Sequence, residues 1–129
     1  MSKFLAALVI ATATFSAALA QPSQDPNEPP SKGVAPKTEN GIGRADVRVD
    51  DENGNPIRNA FVKLESTRSD GYFCESWNDS DELGIAILPP IHMGRLKLIV
   101  KIKGYEKQEL TILASDLDQP VRVVLHRKS

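Results

Sequence analysis

The chain has 129 residues, room for one domain and hardly two once terminal segments are set aside. Sixteen Lys and Arg against seventeen Asp and Glu leave a formal charge of −1, so there is no basic excess to release phosphate counterions and nucleic acid is not an expected partner. A single cysteine, Cys74, excludes an intramolecular disulfide framework and any multi-cysteine metal cluster, and two histidines, His92 and His126, are little from which to build a metal centre.

The amino terminus reads as an address. Lys3 gives a short positive start, and Phe4 to Ala20 runs seventeen residues without a charge, closing on Ala18-Leu19-Ala20 with Gln21-Pro22 behind it. This is the pattern of a secretory signal peptide over residues 1–20, cleaved after Ala20. As a membrane anchor it falls short of the roughly 20 apolar residues a span requires, and Thr12, Thr14 and Ser16 dilute it. The longest later uncharged stretch, Leu83 to Gly94, is twelve residues and contains Pro89-Pro90, so no membrane span is expected after cleavage. The mature protein is expected to be secreted or periplasmic. Residues 21–40 carry five prolines and, as hydrophobic side chains, only Val34 and Ala35. Such a segment buries too little apolar surface to offset its ordering entropy, which predicts a disordered Pro-rich linker ahead of a folded domain over 41–129.

From Gly41 onward the period is two. Ala45, Val47 and Val49 alternate with Arg44, Asp46, Arg48 and Asp50, the mark of a half-buried strand with a charged solvent face. Asp51 to Pro56 supplies a turn, and Ala60, Val62 and Leu64 alternate with Phe61, Lys63 and Glu65 in a second strand. Tyr72 to Trp77 is a short aromatic strand between turn residues, and Ile85 to Leu88 a fourth that ends at Pro89-Pro90. Arg95 to Lys103 is the clearest, with Leu96, Leu98, Val100 and Ile102 on one face, lysines on the other and Ile99 as the exception. Leu110 and Ile112 suggest a sixth strand and Val121, Val123 and Leu125 a seventh, with one helical turn capped by Ser115 between them. Seven short strands with turns every eight to twelve residues predict an all-β fold, a seven-stranded antiparallel Greek-key β-sandwich.

The run Val47 to Leu64, a strand, a turn with Gly54 and Pro56-Ile57, then Ala60 and Val62-Lys63-Leu64, resembles the opening of carboxypeptidase regulatory-like domains, relatives of the transthyretin-like sandwiches. Asp81-Glu82-Leu83-Gly84 before Ile85 resembles that family's D-x-x-G strand start. Pro90 to Gly94 followed by Leu96 to Val100 resembles its next strand entry, and Gly104-Tyr105 its G-Y corner. The resemblance spans about Ala45 to Leu125 and implies a transthyretin-like module that binds or spaces rather than catalyses. The hydrolases among the transthyretin-like proteins carry a Tyr-Arg-Gly-Ser tail where this chain reads Leu125-His126-Arg127-Lys128-Ser129. Pilin-like relatives with an internal isopeptide need a first-strand lysine, which Arg44 to Asp50 lacks.

The candidate chemistry is sparse. Asp70, Glu75, Asp79, Asp81 and Glu82 crowd one stretch, but Leu83 falls where a calcium loop needs its third acceptor, and Pro56 stands where the Asp51 turn would need Gly. No nucleophile has a recognisable histidine partner, so neither catalytic residues, cofactor nor metal is expected. Cys74 reads as a buried, inert thiol or an intermolecular bridge, and Asn78-Asp79-Ser80 as a glycosylation sequon if the host is eukaryotic. Charge is uneven: nine acids and three bases lie between Asp50 and Glu82, five bases and one acid between Arg95 and Lys107. Phe61, Phe73, Trp77 and Ile99 fall on the faces that alternation assigns to solvent, which makes them the candidate contact residues for a protein or carbohydrate partner in the envelope or extracellular space. The rival expectations are a spacer without a ligand and a small transthyretin-like hydrolase, the latter requiring His92, His126 and an Arg or Ser in one cleft.

Overall fold

The structure, a computed structural model, describes residues 27–129. The expected signal peptide and the first residues of the Pro-rich segment lie outside the described residues. The chain divides into two compact units, Met1–Pro30 and Ser31–Ser129. Of the first, only Asn27–Pro30 is described, a turn followed by irregular chain.

The second unit is an all-β sandwich. Its strands are β1 (Ile42–Gly43), β2 (Asp46–Asp51), β3 (Phe61–Thr67), β4 (Phe73–Asp79), β5 (Ile85–Ile87), β6 (Ile91–His92), β7 (Arg95–Lys101), β8 (Gln108–Ile112) and β9 (Val121–Leu125). One sheet has the order β5-β2-β9 and the other β4-β3-β7-β8, with β1 and β6 forming a separate two-residue pair. The chain passes between the sheets after β2, β4, β5 and β8, a Greek-key path. Where alternation predicts seven strands the described residues hold nine, seven of them three or more residues long. The pair β1–β6 is additional, because two residues are too few to show a period. One ladder departs from the expected antiparallel pattern: β2 and β9 run parallel, Val47 opposite Val121 through Asp51 opposite Leu125. The crossover from β8 delivers β9 to the far edge of the other sheet, and strands so distant in sequence have no hairpin to force them antiparallel.

The core lies between the sheets. Val47, Val49, Val123 and Leu125 from one meet Val62, Leu64, Leu98 and Val100 from the other, all buried. Each such side chain removed from water contributes about 1.5–3 kcal/mol, and together they offset the ordering entropy of short strands. Gly84, at φ 77°, starts β5 where an added Cβ would come 2.5 Å from the Val49 carbonyl oxygen. Only glycine holds that conformation and that approach cheaply. The helical turn appears as a single 3-10 turn, Ala114–Asp116, but Leu113 is its cap residue and no side chain caps it; Ser115 lies inside. Leu117 beyond it is fully buried and plugs the sandwich end.

Two features depart from the expected linker and from the expected charged face of β2. Residues from Ser31 onward belong to the compact unit rather than to a spacer ending at Asn40. Val34 and Arg44 exchange backbone hydrogen bonds at 2.8 and 2.9 Å, Lys32 N–H donates to Asp46 at 2.9 Å, and Ala35 N–H donates to Asp118 at 2.9 Å. Prolines reduce the entropy that ordering removes, so this segment needs few contacts to settle. Asp46 and Arg48, expected to face solvent, are only 0% and 4% exposed, and the segment reaches Asp46 through Lys32 N–H. Arg48 donates to both Asp46 oxygens, Nε to Oδ1 at 2.9 Å and Nη2 to Oδ2 at 2.8 Å, in a bidentate buried pair.

Candidate functional site

The four-stranded sheet keeps its outer face open. Because side chains alternate and the registers are fixed, that face is a grid read across β4, β3, β7 and β8. Phe73, Thr67 and Arg95 form the first row, Glu75, Glu65, Lys97 and Thr111 the second, Trp77, Lys63, Ile99 and Glu109 the third, and Asp79, Phe61 and Lys101 the fourth. The structure therefore brings Phe61, Phe73, Trp77 and Ile99 onto one surface. Phe73 and Trp77 are 50% and 54% exposed, whereas Phe61 and Ile99 are half-buried among their neighbours. Four residues apart on β4, the two exposed rings stand about 13 Å from each other. Between them the charges are mutually satisfied. Lys63 bridges Glu65 at 3.1 Å and Glu75 at 3.8 Å, while Glu109 takes Lys107 at 3.1 Å and Lys97 at 3.4 Å. A hydrogen bond from Lys107 and the charge of Lys97 hold the Glu109 carboxyl below its ordinary range. Lys101 lies over the Phe61 ring, 5.7 Å from its centroid.

The inner side of β4 shows why this edge strand presents aromatics outward. Where an apolar strand would face the core, Cys74, Ser76 and Asn78 reach instead for three carbonyls, one each in β6, in the β5–β6 connection and in β5. The Cys74 thiol donates to His92 O at 3.4 Å, the Ser76 hydroxyl to Pro89 O at 2.6 Å and the Asn78 amide to Ile87 O at 3.0 Å. Cys74 is a free cysteine, half-buried at the rim of this zipper rather than fully buried. Asn78 also accepts from Asp79 N–H at 2.9 Å, and Ser80 is buried with its hydroxyl on Ile57 O at 2.6 Å. Both ends of the sequon are therefore engaged in holding the sheet.

The histidines do not meet. His92 pairs with Ile42 in β6 and its Nδ1 lies 2.9 Å from Asn40 O, whereas His126 follows β9 and lies 2.8 Å from a Glu52 oxygen. These positions are at opposite ends of the run from β1 through β2, on the order of 25 Å apart. The turn carboxylates are occupied locally: Asp51 accepts from Asn53 and Asn55 N–H, and Asp81 from Leu83 and Ile85 N–H. Among the described residues no group of three His, Cys, Asp or Glu is arranged to hold a metal ion, and no helix is long and apolar enough to cross a membrane.

One feature escaped sequence reasoning. At the end of the sandwich beyond Phe73, the segments 36–40, 67–71, 93–95 and 114–115 enclose a hollow of about 600 Å³. Arg68 stands at its wall, bound to Asp70 at 3.0 Å and stacked 5.6 Å from the Tyr72 ring centroid, and its buried Nε makes no hydrogen bond among the described residues. Four loops far apart in sequence make this hollow, so no local period announces it.

No known family and no curated protein matches the chain. Among solved structures, the crystal structure of 3-chlorocatechol 1,2-dioxygenase from Rhodococcus opacus 1CP is similar, with a TM-score of 0.53 and 12% sequence identity, covering 84% of this chain and 71% of that one. At this identity the likeness is one of fold: the sandwich is an architecture that solved proteins share.

Proposed function

We propose that this chain is a non-enzymatic interaction module of carboxypeptidase regulatory-like type, working in the secreted or periplasmic space. Its contact surface is the outer face of the four-stranded sheet. The observation that carries this reading is the placement of Phe73 and Trp77, both half exposed, on one open face with Phe61 and Ile99 beside them. Rigid aromatics on a flat, internally charge-paired sheet offer contact area at small entropy cost, and such residues dominate interface energetics. The separation of His92 from His126 favours binding over hydrolysis, since a small hydrolase of this size would have to gather both. Support for the carboxypeptidase regulatory-like reading comes from the landmark positions. Gly54, Gly84 and Gly104 hold left-handed φ at strand junctions, and Ala60 is fully buried between the sheets.

A photoreactive residue placed at Trp77 or Phe73, with Val124 on the other sheet as control, tests this in the producing organism. Val124 is comparably exposed at 47%. Adducts are expected from the first two positions and not from the third. For a polysaccharide partner, the chain is expected to sediment with the host's insoluble glycan and Trp77→Ala to remain in solution. Equal adducts at all three positions, or sedimentation unchanged by Trp77→Ala, would contradict the assignment.

A further inference from the structure

Beyond the aromatic face, the far end of the same sheet holds a second feature. The chain turns out of β7 through Gly104, at φ 92°, and the carboxy-terminal residues fold back on this corner. Tyr105 and Arg127 form a bridge, Lys128 N–H donates to Gly104 O at 3.0 Å, and the Arg127 guanidinium stacks 5.0 Å from the Tyr105 ring centroid. This return places Lys128 at the rim of a hollow of about 460 Å³ lined also by Lys101, Lys103, Lys107, Phe61 and Tyr105, with Asn59 and Ile102 beside them. Four of its lining residues are lysines, and none of the lining residues is an aspartate or glutamate. Lys107 shares Glu109 with Lys97 on the open face, and Lys101 rests on Phe61, while Asp79 lies beyond that ring in the same row.

This arrangement differs from the rest of the surface. Lys63, Lys97 and Lys107 each have a carboxylate within ion-pair distance, whereas Lys101, Lys103 and Lys128 have none among the described residues. Here like charges converge on one cavity, which costs electrostatic energy that a bound anion would relieve. The volume falls in the range of small-ligand sites, and two ring walls offer apolar surface to an organic body carrying the charge. Lysines rather than arginines supply point charges without fixed fork geometry, which suits an oxyanion of several charges better than a planar carboxylate. We propose that this hollow is a binding site for a polyvalent phosphate, carried either by a free phosphorylated small molecule or by a phosphomonoester headgroup. It is separate from the aromatic contact surface except for Phe61.

The test is calorimetric titration of the full chain with inorganic tripolyphosphate, alongside sedimentation with phosphatidylcholine vesicles that contain or lack phosphatidic acid. Wild type and the variants Lys103→Gln/Lys128→Gln, Lys37→Gln and Trp77→Ala are compared. All four substituted residues are exposed, so folding is retained. Saturable tripolyphosphate binding is expected, weakened at least tenfold by the double variant, as loss of charged hydrogen bonds implies, and unaffected by Lys37→Gln or Trp77→Ala. Vesicle binding that requires phosphatidic acid and is lost in the double variant would assign the phosphate to a headgroup, and its absence beside tight tripolyphosphate binding would assign it to a free ligand. No binding of either probe, or equal weakening by Lys37→Gln, would overturn the proposal. Intact phosphate binding in Trp77→Ala keeps this result distinct from any failure of the aromatic surface.

Discussion

The two sheets carry the same alternation of apolar and charged residues and put it to opposite uses. In β2 the charged set is sealed: Asp46 and Arg48 are buried as a bidentate pair, and Lys32 from the Pro-rich segment completes the carboxylate's hydrogen bonds. In β3 the equivalent Lys63 and Glu65 stay at the surface, bridged laterally to Glu75 and open above. What separates them is a covering segment rather than the alternation. The segment Ser31 to Pro36 lies over one sheet, and no described segment lies over the other, which leaves its aromatics as the available contact surface.

That contrast can be broken from either side. Asp46→Ala breaks this buried ion pair and removes the acceptor of Lys32 N–H, and is expected to cost about 3–5 kcal/mol in urea unfolding, a large part of a small domain's stability. Gly33→Ala attacks the cover instead. A methyl there would press on the Leu117 carbonyl oxygen, and the expected loss is about 1–3 kcal/mol with faster amide exchange at Val34 and Arg44. Ser76→Ala removes one rung of the zipper behind β4 and leaves Pro89 O without its donor, for about 1 kcal/mol in the same unfolding assay. Lys63→Ala, the surface counterpart of Asp46→Ala, is expected to change stability by less than about 1 kcal/mol, and a cost equal to the buried pair's would erase the distinction between the sheets. The smallest effect concerns pH. The Glu109 carboxyl is depressed in the folded state, so its contribution is present above the ordinary glutamate value and lost as pH falls through the folded one. A carbon-detected NMR titration is expected to show Glu109 ionising below the range of free glutamate, and moving up in Lys107→Ala.

The parts of this architecture with long local periods were legible in the sequence. Arg95 to Lys101 shows its buried Leu96, Leu98 and Val100 and its outward lysines without ambiguity, and Phe73, Trp77, Phe61 and Ile99 were traceable to one kind of face because alternation alone fixes their side. The identical logic misplaced Asp46 and Arg48, since a period of two reports which residues share a face and not what covers it. The cover came from a proline-rich stretch whose composition argues for disorder. Its order rests on a few backbone hydrogen bonds to β2 and its flank, which composition does not encode. The zipper of Cys74, Ser76 and Asn78 was likewise hidden, because polar residues on an inner face look like a solvent face until their carbonyl partners are known. Both hollows collect residues from segments distant in sequence, so the lysine excess between Arg95 and Lys107 hinted at the second without indicating that Lys128 would join it.

Trp77 is the single tryptophan of the chain and sits on the open face at its β4 edge, so it reports on that face without interference. The decisive measurement is fluorine NMR of protein labelled with fluorotryptophan, recorded alone and after addition of the host's envelope or secreted fraction. The account predicts one resonance at the position of a half-exposed ring that shifts or broadens on addition, with Phe73→Ser diminishing the change. A resonance untouched by fractions that nonetheless retain the protein would place the contact elsewhere and contradict the assignment of this face.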